Sequence, residues 1–228
     1  MDAAKADLTR TLGRLARGLS TLFWCLPLAL MAQMETGRTD WARFLGPLAF
    51  VPALALTAML WFGLRRLRDF QKQERIWQQA VDRAELLAII NTGLSPFLFW
   101  WHRFPLIPFY VICVDFLAMS AVLLLMQINR VLLRLSAMLP NEMLRQEART
   151  FAGLNIWMLL ILLCGFALDR FLHLWRAPVH IVSHFSFALQ ETAVWFALFF
   201  ALMPVAMTLA LLWKIKEAIF ASLFEVDR

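Results

Sequence analysis

The sequence predicts an all-α integral membrane protein of about six transmembrane helices arranged as three hairpins. Three observations carry that expectation. Hydrophobic residues make up 61% of the 228 and charged residues only 17%, where an ordinary soluble domain carries about a quarter charged. The apolar excess is gathered in six blocks separated by polar links, and Lys and Arg accumulate on every second link. Backbone in hydrocarbon must satisfy its own hydrogen bonds, and apolar runs of this length do so as helices.

The blocks span residues 19–34, 44–64, 86–101, 106–128, 154–172 and 188–213 of one polytopic domain. A helix crosses the hydrocarbon core in roughly 17–25 residues. Blocks 19–34 and 86–101 are short, and the second of these carries Asn91, Thr92, Gly93, Ser95 and Pro96. Both are read as spanning because the alternation of charge requires both crossings. Trp41, Trp61, Trp100, Trp101, Trp175 and Trp213 fall at block ends, where amphipathic rings prefer the membrane surface.

Charge gives the orientation. Lys5, Arg10, Arg14 and Arg17 precede the first block, and Arg65, Arg66, Arg68, Lys72, Arg75 and Arg83 follow the second. Arg130, Arg134, Arg145 and Arg149 follow the fourth, and Lys214, Lys216 and Arg228 the sixth. The other links keep Arg38, Arg43, Arg103, Arg170 and Arg176. The positive-inside rule then places both termini in the cytoplasm, with the inner (plasma) membrane of a bacterium as the expected location. The net charge of +6 points to membrane lipids with anionic headgroups and not to nucleic acid, because no basic patch interleaved with stacking aromatics stands outside the blocks.

The links themselves read as helical. Residues 1–17 form an amphipathic arm, with Leu8, Leu12 and Leu15 on one face and Arg10, Arg14 and Arg17 on another, expected to lie in the headgroup region. Leu67, Phe70, Trp77, Val81 and Ala84 form a stripe through the next link. It either prolongs the second spanning helix or makes an amphipathic connector, with a partner-binding face as a further use. Pro140-Asn141-Glu142 ends one helix near Leu139 and starts another at Asn141. The stretch Leu172–Phe187 is expected to hold a surface turn or half-helix.

Gly18-Leu19-Ser20, Gly93-Leu94-Ser95 and Gly153-Leu154-Asn155 open the first, third and fifth blocks or lie within them. Three related hairpins would produce such matches. Their unequal spacing gives no tandem period, and few residue types suit a turn at the membrane surface, so coincidence is the favoured account.

Asp115 is the sharpest candidate for chemistry. It lies near the middle of an apolar block that contains no Lys or Arg, where an ionised carboxylate costs a few kcal/mol or more. It must be protonated, face a wet cavity or meet a partner from another helix. Asn91 and Ser95, four residues apart in the third block, are the nearest candidates for a shared polar site. Either a proton- or ion-linked site or a neutral hydrogen bond between helices fits these residues. Asp169, His173, His180, His184 and Glu191 have the chemistry of a divalent-metal site. Pro178 interrupts their run and no HExxH pattern is present, so no metal and no cofactor is expected. Cys25, Cys113 and Cys164 all lie inside apolar blocks and form no disulfide framework. No GxSxG, Walker-type or GxGxxG motif occurs, and eight glycines leave little material for a phosphate loop.

The expected function is a non-catalytic inner-membrane subunit or scaffold that associates with protein partners in a membrane complex or as a homo-oligomer. The alternative is a small transporter, channel or permease subunit with a polar intramembrane site around Asp115, Asn91 and Ser95.

Overall fold

The computed structural model describes residues 2–38, 46–71, 73–139, 142–174 and 186–226, with side chains described for 10–37, 46, 48–71, 73–139, 142–168, 170, 171, 199 and 202–221. Among them there is no strand. Six α-helices follow one another: α1 (Asp2–Arg38), α2 (Val51–Arg68), α3 (Arg75–Arg103), α4 (Pro108–Met138), α5 (Glu142–Leu174) and α6 (Ser186–Val226), with a 3₁₀ turn at Gly46–Phe50 before α2. Each helix packs on its neighbours in the chain, and α6 returns to α1, so the bundle is a closed ring. Contacts α1–α3 and α4–α6 cross its interior. Every helix also touches the ring neighbour outside its expected hairpin.

Among the described residues, four stretches are long and apolar enough to cross a membrane: Arg10–Gly37, Leu48–Arg68, Pro108–Met138 and Glu142–Leu168. The third block falls in α3, where Asn91, Thr92 and Ser95 dilute its hydropathy. The outward side of the bundle is apolar all the same: Trp24, Phe62, Ile89, Ile112, Phe116, Trp157, Ile161 and Phe199 are exposed. An apolar exterior of this extent is what hydrocarbon surrounds, whereas a monomeric soluble protein exposes only small patches.

The inward faces repeat with a spacing of four and three residues. On α1 the buried positions are Leu15, Leu19, Leu22, Leu26 and Ala29; on α3 they are Trp77, Val81, Ala84, Ala88, Asn91, Ser95 and Leu98. Such a seam keeps one helix face against its partner over many turns. It also explains two departures from expectation. The arm is not a separate surface element: residues 2–17 are the first turns of α1, and Leu15 and Ala16 are buried in the core. The link stripe does not prolong α2, which stops at Arg68; from Trp77 onward it is the start of α3. In both cases a continuous buried seam runs through the junction and fuses link and block into one helix.

The turn between α2 and α3 is tight. Phe70 N–H donates to Leu67 O at 3.1 Å, Glu74 N–H to Gln71 O at 3.1 Å, and Gln71 takes a left-handed φ of 48°. Phe70 packs edge-on to the fully buried Trp77 at 5.9 Å. At the α4–α5 turn, Arg145 Nη2 donates to Ala137 O at 3.0 Å and Leu139 O at 3.4 Å, satisfying carbonyls that the end of α4 leaves open. The helix ends there, Met138 and Glu142, lie beside the boundary expected from Pro140-Asn141.

The α1–α2 crossing depends on two glycines. A Cβ on Gly18 would stand 3.1 Å from Gly63 O, and one on Gly63 would stand 3.2 Å from Leu22 Cδ2. Gly93 and Gly153 have nothing within 4 Å of that position. Of the three Gly-Leu matches, only Gly18 stands at a close approach between helices.

Candidate functional site

Asp115 meets its partner across the α4–α5 interface: Arg170 Nη2 stands 2.8 Å from Asp115 Oδ1. Seven residues at ~1.5 Å each put Asp115 about 10 Å from the start of α4, closer to that helix end than to its middle. Asp115 is 22% exposed and Arg170 45%, so the pair sits at the flank of the bundle and not in its interior. Arg170 also lies over the Phe166 ring at 5.4 Å. Arg170 thus supplies the partner from another helix that an acid in an apolar run calls for.

Asn91 and Ser95 share one face of α3 and are both buried, at 2% and 0% exposure. Their roles differ. Pro96 lacks an N–H, so the carbonyl of Thr92 loses its usual helical donor. Ser95 Oγ donates to that same carbonyl at 3.0 Å. Ser95 thus repairs the backbone of its own helix. Asn91 gives one amide hydrogen to Leu87 O at 2.9 Å and borders a cavity of about 300 Å³ inside the ring. Ser95 and Asp115 are not among the residues that line it.

A polar layer escaped the sequence reading. Asn129 of α4, Asn155 of α5 and Thr208 of α6 are each at most 1% exposed. Asn129 Nδ2 donates to Leu125 O at 2.8 Å and Thr208 Oγ1 at 2.8 Å. Asn155 Nδ2 lies 3.1 Å from Asn129 Oδ1, 3.0 Å from Pro204 O and 2.9 Å from Thr208 Oγ1. Two hydrogens serve these three acceptors. Thr208 Oγ1 donates to Pro204 O at 2.7 Å. Asn155 Oδ1 is buried without a partner among the described residues. The signal available in the sequence was an amide inside or beside an apolar run, the same signal that singled out Asn91.

Charged side chains gather at the end of the bundle where α2 gives way to α3 and α4 to α5. Arg68 pairs with Asp82 at 3.4 Å and Glu85 at 3.9 Å, Arg14 with Asp69 at 4.0 Å, and Lys214 with Glu147 at 2.6 Å. Trp61 Nε1 donates to Glu85 Oε1 at 3.0 Å. Arg66, Arg75, Arg83, Arg130, Arg134 and Arg149 are exposed there, and no ion pair is formed by them among the described residues.

The Asp169, His173, His180, His184 and Glu191 group lies outside the described residues: 175–185, with His180 and His184, are not described, nor are the side chains of Asp169, His173 and Glu191. Among the described residues no group of three or more His, Cys, Asp or Glu side chains is placed to hold a metal ion. No protein-family model, curated protein or solved structure matches this chain.

Proposed function

We propose that the chain is a non-catalytic integral subunit or scaffold of a bacterial inner membrane, crossing it six times with both termini in the cytoplasm. The observation that carries this reading is the row of exposed arginines at one end, Arg66, Arg75, Arg83, Arg130, Arg134 and Arg149. Guanidinium groups in such number, with no ion pair among the described residues, favour anionic headgroups and acidic surfaces of partner proteins. Six crossings are supported by helix length, since α3 has 29 residues and α6 has 41, against the ~20 needed. On α3 the polar residues Asn91 and Ser95 face inward while Leu86, Ile89 and Ile90 face outward.

Co-purification from native membranes tests the reading. Glutamate at Arg66, Arg75 and Arg83 together should release the partners while the protein stays folded; partners retained by that variant would refute it. Deleting the link would be uninformative, because Trp77 and Val81 belong to the core. Reporters fused to the two ends should both read cytoplasmic.

A second reading has one observation in its favour, the interior cavity bordered by Asn91. On it the chain is a small transporter, channel or permease subunit using Asp115 and Asn91. Loss of pH-dependent flux in Asp115→Asn proteoliposomes would support it, and unchanged flux would remove it.

A further inference from the structure

The interior cavity has the chemistry of a binding site. All six helices contribute to its wall, and the space exists because Ala29, Ala88, Ala118 and Ala121 stand where larger side chains would close it. A cavity of about 150 Å³ accommodates benzene. The ~300 Å³ here therefore suits a molecule of roughly ten to twelve heavy atoms.

Charge and polarity narrow the occupant. No Asp, Glu, His, Lys or Arg lines the cavity among the described residues. A charged ligand would be desolvated without a counter-charge, at a cost of several kcal/mol or more. A pure hydrocarbon would leave Asn91 stranded: at 2% exposure its one side-chain hydrogen bond among the described residues runs to Leu87 O. One amide hydrogen and Oδ1 remain for whatever fills the space, and a buried polar group left unmatched costs about 1–3 kcal/mol. Gln33 also lines the cavity and makes no side-chain hydrogen bond among the described residues.

We infer that this cavity binds a free, uncharged lipophile bearing one hydroxyl or carbonyl group, which the Asn91 carboxamide recognises. The inference goes beyond the scaffold reading and does not depend on it, since a subunit can hold such a molecule without transporting it.

The test uses the full chain in phosphatidylcholine vesicles with three diazirine probes: decan-1-ol, decane and a phospholipid labelled at its acyl terminus. Decan-1-ol should label the cavity-lining peptides saturably, and unlabelled decan-1-ol should compete about tenfold better than decane, the scale of one hydrogen bond. Asn91→Leu should bring that ratio to about one, and Ala121→Phe should abolish labelling. Equal competition by alcohol and alkane in the unaltered protein would overturn the inference. So would labelling spread over the outward residues Phe62 and Trp157, or cavity labelling by the phospholipid as strong as by the alcohol. If Asn91→Leu does not fold, the alcohol-to-alkane ratio of the unaltered protein decides the matter alone.

Discussion

Arg170 reaches Asp115 from the neighbouring helix, its Nη2 2.8 Å from the carboxylate oxygen. The partial exposure of both groups places the pair between a surface ion pair, worth up to ~1 kcal/mol, and a buried one, whose disruption costs ~3–5 kcal/mol. A double-mutant cycle with Asp115→Asn and Arg170→Met, read by unfolding in detergent, should give a coupling of about 1–2 kcal/mol. A coupling near zero would show that the two side chains do not stabilise one another.

Ser95 and Pro96 should be coupled through a carbonyl that neither of them owns. Ser95→Ala leaves Thr92 O without its hydroxyl donor and should destabilise the protein by ~1 kcal/mol. With Pro96→Ala the backbone N–H returns. In that background Ser95→Ala should cost a few tenths at most, measured in the same unfolding assay.

The α4–α5–α6 polar layer should respond as a unit. Thr208→Val keeps the shape, removes one donor and strips the acceptor shared by Asn129 and Asn155. We expect a loss of about 1–2 kcal/mol, in the range of strong hydrogen bonds between membrane helices. Asn155→Ala should cost a comparable amount, and the double variant clearly less than the sum, because both act on one network. Full additivity in the cycle would contradict the geometry.

Glycine substitutions separate close approach from coincidence. Gly18→Ala must displace Gly63 O or Leu67 Cδ2, each 3.1 Å away, and should destabilise by ~1–3 kcal/mol. Gly93→Ala and Gly153→Ala meet nothing within 4 Å and lie inside helices, so each should stabilise by about 0.5–1 kcal/mol. Unfolding midpoints of the three variants would decide it.

The helical class and the inward stripe of α3 were legible because a seam of period 3.5 is written in Trp77, Val81 and Ala84 themselves. The break near Leu139 was legible for the local reason that Pro140 cannot continue a helix. Arg170 was not: 55 positions separate it from Asp115, and nothing local says which helices will face each other. Asn155 stood in view only as part of a short sequence match, since a neutral amide betrays its partner through tertiary packing alone. The fusion of the arm with α1 was hidden because Leu15 and Leu19 lie on a face that suits lipid headgroups and protein equally well. Ser95 stood as a candidate for a polar site shared with Asp115 until the missing donor of Pro96 gave it another task.

Closure of the ring sets an order on biosynthesis. Phe23 and Trp213 meet at 5.6 Å across α1 and α6, although 190 residues of translation separate them. Until α6 leaves the ribosome, the nascent chain holds Asn129 and Asn155 without Thr208 or the Pro204 carbonyl, with two amides turned toward an unfinished wall. A premature stop in that interval yields a polypeptide whose interior carboxamides must confront acyl chains.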